Sequence, residues 1–144
     1  STQGVKASTT GTVYGVYDMS GGAHEYVAAY VNNGDSNLAS YGSSLVNGET
    51  KTKTVYNKAS SDSADNNYNA NSSKYGDAVY ETGENGSDIG SWYYDFSYFP
   101  YTWSPFFYRG GNLSDGKIAG VFNFVYISGD SSSSVSFRPV LAVL

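Results

Sequence analysis

The stretch GVYDMSGGAHEYV, residues 15–27, governs how the rest of the chain is interpreted. Residues 10–17 alternate small or polar side chains with valine and tyrosine, which predicts a β-strand. Ser20-Gly21-Gly22 predicts a tight turn, because glycine adopts a positive φ without steric strain. Residues 23–31 form a second ordered element. Its apolar positions fall at a helical spacing, so strand and helix both stay open for it; they are Tyr26, Val27, Tyr30 and Val31.

The carboxyl-terminal third carries most of the hydrophobic mass. From Trp92 to Tyr108, 11 of the 17 residues are aromatic, and Pro100 and Pro105 prevent this run from forming one long helix. Residues 121–127 and 135–141 are rich in β-branched and aromatic side chains and flank a serine-rich loop. These two segments predict a pair of antiparallel strands.

Residues 33–90 are polar and weakly patterned. Turn signals occur at Asn47-Gly48, and residues 60–73 are nearly all Ser, Asp, Asn and Ala. We predict a long surface excursion with short local elements, in which residues 77–81 pack on the core through Val79 and Tyr80. Since domains typically have about 100–200 residues, we interpret residues 1–144 as a single domain of the α+β class, rich in strands and loops, with few short helices.

The composition argues against several classes of partner. The chain has no cysteine, so it can form neither a disulfide framework nor a thiolate zinc site. The net charge of −5 and the scattered lysines and arginines argue against nucleic acid and anionic membranes. No stretch approaches the ~20 apolar residues that span a bilayer. Charged residues are only 15% of the chain, while Gly, Ser, Asn, Thr and Tyr are abundant. This is typical of an extracellular binding surface, or equally of an extracellular β-rich domain with a polar surface.

Three islands of sequence, taken in order, carry a family resemblance: residues 15–27, Arg109-Gly110-Gly111, and residues 136–140 (Ser-Phe-Arg-Pro-Val). They resemble the formylglycine-generating enzyme (sulfatase-modifying factor) superfamily. Its hallmarks are a "Gly-apolar-Tyr-Asp-Met-small-Gly-Asn-apolar-Trp-Glu-Trp" segment, then "Arg-Gly-Gly-Ser-Trp" and a terminal "Gly-Phe-Arg". The resemblance implies a variant of the C-type lectin fold, which is also used by variable proteins that retroelements diversify in phages and bacteria.

The chain departs from these hallmarks at several positions. Gly22 replaces the asparagine, His24 and Tyr26 replace the two tryptophans, and Asn112-Leu113 replaces Ser-Trp. The resemblance is therefore to the fold. Glycine at 21 and 22 permits a positive φ. We also expect Asp18 and Glu25 to pair with Arg109 or Arg138, because guanidinium groups bind carboxylates in a bidentate manner. The expected structural residues are Asp18, Gly21, Gly22, Glu25, Arg109, Gly110, Gly111, Phe137 and Arg138.

The enzymatic activities of the superfamily need residues that the chain lacks. Formylglycine-generating enzymes bind copper(I) through a cysteine pair, and sulfoxide synthases hold iron with several histidines. The chain has no cysteine and a single histidine, His24, which we expect to be half-buried and structural. No nucleophile elbow or P-loop occurs, and nothing in the spacing of the 13 acidic residues selects a glycosidase pair. We therefore expect no enzymatic activity, no metal site and no cofactor.

In the diversified proteins of this fold, variable side chains are displayed between the Arg-Gly-Gly and the terminal Phe-Arg. Carried over by position, the candidate ligand-binding residues are Asn112, Leu113, Asp115, Lys117, Ile118, Asn123, Val125, Tyr126, Ile127 and Ser128. If residues 120–126 form a strand with Phe122 and Phe124 facing the core, then Val121, Asn123 and Val125 face outward. This register avoids burying Asn123 without partners, which costs about 1–3 kcal/mol. For any single apolar residue, core packing or a subunit contact is the alternative.

The aromatic run provides a competing site. Exposed Trp and Tyr rings stack on sugars or bases, so Trp92, Tyr93, Tyr94 and Trp103 are candidates for a binding platform. Core packing is the default for most of them, because a β-rich domain needs large apolar side chains. Some of these tyrosines are also expected to rim the face of the 112–128 segment. The calcium-dependent sugar motifs of true C-type lectins, Glu-Pro-Asn or Gln-Pro-Asp with Trp-Asn-Asp, are absent.

These observations predict a non-catalytic recognition or adhesion module displayed on a bacterial or phage surface, outside the cell. Its expected partner is a protein or glycan on another surface. The alternative is the structural head of a pilin-like or phage tail-fibre subunit. Because the chain begins at Ser1 and not at methionine, we expect a processed chain or a fragment, whose anchor, export signal or self-assembling region lies upstream.

Overall fold

The computed structural model describes residues 22–74, 78–88 and 90–137, which form a mixed α+β fold, rich in strands and with few short helices. The strands are β1 (His24–Asn32), β2 (Thr54–Asn57), β3 (Ser87–Asp88), β4 (Ser97–Tyr98), β5 (Phe106–Arg109), β6 (Phe124–Ile127) and β7 (Val135–Phe137). The α-helices are α1 (Ser36–Ser40), α2 (Ser43–Asn47), α3 (Ala64–Ala70) and α4 (Ala78–Thr82), and single 3₁₀ turns occur at Thr50–Thr52, Trp92–Tyr94 and Gly116–Ile118. The predicted α+β class is confirmed. The strand predicted over residues 10–17 lies outside the described residues.

Strand β1 organises the sheet. Its first residues pair in parallel with β7 and its last residues pair in parallel with β2, while β5 lies antiparallel to it. The sheet continues from β5 to β6, β4 and β3. The predicted hairpin of residues 121–127 with 135–141 is therefore wrong over the residues described. Both edges of β6 are occupied by β5 and β4, and the serine-rich loop instead returns the chain to β1, where the His24 amide donates to the Ser134 carbonyl at 2.9 Å.

The element that the sequence left open as strand or helix is β1, a strand. Ala29 and Val31 enter the main core, whereas Tyr30, between them, enters a second cluster with Leu38 and Phe106. A strand that is covered on both faces has apolar side chains at consecutive positions. The helix-like spacing of the apolar residues in β1 arises because both faces of this strand are buried.

The polar region 33–90 supplies a large part of the main core. Tyr56, Tyr68 and Val79 are buried there against Phe99, Phe107 and Phe124. Val79 and Tyr80 pack on the core as predicted. The prediction of a mere surface excursion is wrong, because single aromatic residues between polar ones are enough to place β2 and α3 on the sheet.

Two buried asparagines explain how the Ser/Asp/Asn-rich run 60–73 folds. Asn67 is fully buried, accepts a hydrogen bond from the Ala59 amide at 2.8 Å, and donates to the Pro100 carbonyl at 3.0 Å. Asn71 bonds both backbone groups of Asn57 at 2.8 Å. Because buried amides are stable only when hydrogen-bonded, this pair fixes α3 against β2 and the loop at Pro100.

Within the described residues, no helix is long and apolar enough to cross a membrane.

Candidate functional site

A turn rich in aromatic residues meets the 112–128 segment at one side of the sheet. We call residues 91–95 the aromatic turn. Immediately after it, the Phe96 amide donates to the Ile118 carbonyl at 3.1 Å, and the Phe96 carbonyl accepts from the Phe124 amide at 3.2 Å. The turn and the loop that precedes β6 are thus joined through the backbone.

The aromatic turn has a strained backbone and exposed side chains. Tyr93 and Tyr94 have φ values of 62° and 65°, in the left-handed region that costs non-glycine residues about 1–3 kcal/mol each. Their side chains are 82% and 80% exposed, and Trp92 is 53% exposed. Burial therefore does not explain why the chain adopts this turn, and an observed strain of this kind favours a function.

Asp95 holds the aromatic turn in place. Although it is an acidic residue, it is only 5% exposed, and its carboxylate accepts a hydrogen bond from the Phe122 amide at 3.0 Å. The same carboxylate lies against Gly120, where a Cβ atom would come within 2.0 Å of it. Any other residue at position 120 would therefore displace this buried carboxylate.

Phe122 joins the aromatic turn to the 112–128 segment at the protein surface. Its ring stacks on Tyr93 with centroids 5.8 Å apart and planes at 15°, and it meets Trp92 edge-on at 5.5 Å. Val121 beside it is 43% exposed. We call the set Trp92, Tyr93, Tyr94, Val121 and Phe122 the aromatic face. Tyr93 thus contacts the 112–128 segment, and it does so through Phe122, which was expected to face the core.

A cleft of about 450 Å³ opens beside the aromatic face and is lined by Glu84, Ser91, Trp92, Tyr93 and Tyr94. Ser91 is 7% exposed, and its hydroxyl is buried without a hydrogen bond to any residue that the structure describes. Glu84 is exposed at the rim.

The start of the 112–128 segment is fixed by His24. The imidazole Nε2 lies 3.3 Å from the Asp115 carboxylate and 2.9 Å from the Asn112 side-chain nitrogen, and the ring packs on Tyr108 at 3.8 Å. His24 is 4% exposed, more deeply buried than the half-burial expected. Burial lowers the pKa of His24 from its usual 6.5, and nearby Asp115 opposes this shift. The arrangement binds the loop to β1.

The structure divides the ten candidate residues of the 112–128 segment by exposure. Only Leu113, which is 85% exposed, and Lys117 are fully at the surface. The half-buried candidates are Asn112, Asp115, Ile118, Tyr126, Ile127 and Ser128. Of these, Tyr126 packs against Tyr98 and Tyr101, and Ile127 packs against the second core cluster.

The expected outward orientation of Asn123 and Val125 is wrong, since they are 1% and 8% exposed. Strand β6 begins only at Phe124, and the preceding residues form a turn in which the Asn123 amide donates to the Gly120 carbonyl at 3.1 Å. The alternation assumed from residue 120 onward therefore does not apply to position 123. Asn123 is turned inward, where its side-chain nitrogen donates to the Ile118 carbonyl at 3.3 Å.

Core packing, the default for the aromatic candidates, is wrong for Trp92, Tyr93, Tyr94 and Trp103. Trp103 is 64% exposed but does not join the aromatic face. It lies at a different cleft, lined also by Asn33, Gly34, Asp35, Asp62 and Thr102. The structure thus separates two exposed tryptophans that the sequence placed in one platform.

The scaffold residues are only partly within the described chain. Asp18, Gly21 and Arg138 lie outside it. Glu25 and Arg109 are direct partners across β1 and β5, so the two side chains start from neighbouring positions. Gly110 and Gly111 have positive φ values of 88° and 64°. Phe137, expected in the scaffold, is 75% exposed.

Four residues of this candidate site were missed from the sequence: Glu84, Ser91, Asp95 and Phe122, the last of which was expected to face the core. Asp95 had a usable signal, because it is the only charged residue between positions 91 and 108. An acid within an apolar run is buried only when it has partners. Glu84 and Ser91 have no such signal, because their position depends on the bridge between Gly83 and Ser91.

Within the described residues, no group of three His, Asp or Glu side chains is placed to hold a metal ion. Comparison of the chain with protein-family models, curated proteins and solved structures finds no match.

Proposed function

We propose that this chain is a non-catalytic recognition module that binds a ligand through the aromatic face. One observation carries the proposal: three consecutive aromatic residues stay more than half exposed on a strained turn, while the acid that follows them is buried as their anchor. Aromatic rings that are held in a fixed conformation but stay exposed contribute no burial free energy to folding. Exposed apolar patches of this kind are typical of contact surfaces. Tyrosine and tryptophan also give a large contact area at a low cost in side-chain entropy.

Within the α+β class, we further propose that the domain has a C-type-lectin-like fold. Its support is the order of the sequence islands, together with the pairing of Glu25 with Arg109 across the sheet and the two left-handed glycines that follow Arg109. On this assignment the domain is displayed outside the cell or on a virion, and its partner is a protein or glycan on another surface. The low share of charged residues agrees with such a location.

The alternative is the structural head of a pilin-like or phage tail-fibre subunit, in which the aromatic face contacts a neighbouring subunit. The same exposed rings support it, because subunit interfaces are also enriched in aromatic residues. The two functions differ in what occupies the face.

A pair of matched variants tests the proposal. The face variant carries Trp92→Ser and Tyr94→Ser, whose side chains are 53% and 80% exposed. The control variant carries Trp103→Ser and Tyr41→Ser, which removes one tryptophan and one tyrosine that are also more than half exposed, at 64% and 55%. Labelled wild type and both variants are incubated with panels of bacterial and animal cells and counted by flow cytometry. We expect wild type and control to bind one class of cell and the face variant to lose at least about tenfold in affinity, with little change in Tm.

Three outcomes contradict the proposal. One is cell binding that the face variant retains in full, and a second is the absence of binding to every cell type. The third is self-association of wild type in sedimentation that only the face variant loses, which establishes the structural alternative.

A further inference from the structure

The cleft at the aromatic turn has the dimensions of a small-molecule site. Its volume of about 450 Å³ lies within the roughly 300–1,000 Å³ usual for such sites. A protein partner needs a contact of about 800 Å² on each side, whereas the described part of the chain contributes only Glu84 and residues 91–94 to this cleft. The cleft therefore favours a small ligand or a terminal group of a larger one.

The aromatic wall of the cleft offers open ring faces. Tyr93 has one face stacked on Phe122, and at 82% exposure its other face is open to solvent. Trp92 is held edge-on by the same phenylalanine. The electron-rich face of such a ring attracts the partly positive C–H groups of a flat saturated ring. A pyranose presents such a C–H face.

The polar groups of the cleft complement the hydroxyl groups of a sugar. The Glu84 carboxylate accepts hydrogen bonds, and charge-assisted bonds of this kind are the stronger ones. The Ser91 hydroxyl is buried without a partner among the described residues, so a sugar reaches it only when this short side chain rotates toward the cleft. The hydrogen bond then formed recovers the free energy that an unpaired hydroxyl costs. Because a sugar hydroxyl both donates and accepts, it satisfies either residue.

Anionic ligands fit this cleft poorly. Among the described residues that line it, none is basic, and the chain has a net charge of −5, so Glu84 repels phosphate and nucleic acid. A wholly apolar ligand would cover the Glu84 carboxylate without a hydrogen bond.

We infer that the cleft formed by Glu84, Ser91, Trp92, Tyr93 and Tyr94 binds a neutral pyranose, stacked on the aromatic wall and hydrogen-bonded by Glu84 and Ser91. This inference rests on the proposed function, for which it names the ligand class. A glycan on another surface is then the partner.

The two tryptophans of the chain make a direct test possible. In Trp103→Phe, Trp92 is the only indole and its fluorescence reports on this cleft; in Trp92→Phe, Trp103 reports on the other cleft. Each variant is titrated with methyl glycosides of glucose, galactose, mannose and N-acetylglucosamine and with their β-linked disaccharides. We expect one of them to give a saturable blue shift in Trp103→Phe, because stacking removes water from Trp92, and no response in Trp92→Phe.

Two further variants examine the polar contacts in the Trp103→Phe background. We expect Glu84→Gln to weaken binding of the responding sugar by about tenfold. We expect Ser91→Ala to weaken binding while leaving Tm unchanged or raised, since it removes a buried unpaired hydroxyl. A purely structural role for Ser91 predicts no change in sugar affinity.

The inference is overturned if no saccharide at tens of millimolar changes Trp92 emission, or if the response appears in Trp92→Phe instead. Its failure can be told from failure of the proposed function by treating the target cells with periodate, which destroys glycans. If wild type still binds the treated cells and the face variant does not, the face binds a ligand that is not a sugar. If binding never depends on the face, the proposed function itself fails.

Discussion

Gly120 and Asp95 are the two residues whose contact joins the aromatic turn to the loop before β6, and Gly120→Ala tests that contact. The added Cβ would lie 2.0 Å and 2.1 Å from the two Asp95 carboxylate oxygens. Contacts closer than 3.0 Å essentially never occur for real Cβ atoms, so the carboxylate must retreat by about 1 Å. Asp95 is 5% exposed, and this movement breaks its 3.0 Å hydrogen bond to the Phe122 amide.

The expected cost is the sum of overpacking and a lost hydrogen bond to a charged group. Each is typically about 1–3 kcal/mol, so we expect Gly120→Ala to reduce the free energy of unfolding by about 3 kcal/mol. For a domain of this size that lowers Tm by about 10 °C. Urea unfolding monitored by circular dichroism measures the change in free energy, and an unchanged m-value shows that both proteins unfold in the same two-state manner.

A double-mutant cycle identifies the cause. In Asp95→Ala the carboxylate is absent, so adding Gly120→Ala to that background should cost less than about 1 kcal/mol, giving a coupling energy of about 2 kcal/mol. Equal effects of Gly120→Ala in both backgrounds would show that Asp95 is not what restricts position 120. A fully stable Gly120→Ala protein would refute the anchoring role of this contact.

Two other predictions concern the strained turn and the buried imidazole. Tyr94 is 80% exposed with a φ of 65°, so Tyr94→Gly should be more stable to urea than Tyr94→Ala by about 1 kcal/mol; the usual order, with alanine more stable, would contradict the left-handed backbone. His24 is the chain's one histidine, and burial lowers its pKa below 6.5. As the pH falls through about 6.5, His24 is protonated in the unfolded chain before it is protonated in the folded protein. The free energy of unfolding is therefore highest above about pH 6.5 and decreases below it. Tm measured between about pH 8 and pH 5 should follow this course in wild type and be flatter in His24→Gln; equal slopes would exclude His24 as the source.

The class of the fold could be predicted from the sequence, but the pairing of its strands could not. The two prolines, Pro100 and Pro105, correctly excluded a long helix in the aromatic run. The β-branched segments near the carboxyl end correctly indicated strands. Both predictions depend only on residues that are close together in the sequence. The strand with which β7 pairs depends on which sheet edges the other strands leave open. No pattern within residues 128–137 indicates which edges these are. Likewise, β1 looked helical because it is buried on both faces, which is a property of its neighbours.

The site could be predicted as a region and not as a list of residues. The aromatic run and the 112–128 segment were both found, and they do meet. Asn123 was misplaced because the period of two was extended backward over Gly120, where the backbone forms a turn. Val125 lies within β6, beside the buried Phe124, and was misplaced because it too is buried. Core packing was the default expected for Tyr93 and Tyr94, because hydrophobicity favours burial, although both were also candidates for an exposed platform. Their left-handed backbone holds them at the surface instead. Neither effect is visible in a residue's own type.

The burial pattern also decides which positions can change without loss of the fold. In the segment where a replaceable surface was expected, Asn123 and Val125 are part of the interior, so substitution there costs stability. The positions free to vary are Leu113, Lys117 and Val121, together with the rings of Trp92, Tyr93 and Tyr94, because their side chains are exposed and surface changes usually alter stability by less than about 0.5 kcal/mol. Asp95 and Gly120 lie beneath this surface and permit no such freedom. In this arrangement the buried contact stays fixed while the exposed rings above it can be exchanged, so binding can change without loss of the fold. A recognition module requires this separation, whereas a domain built only for its own stability does not.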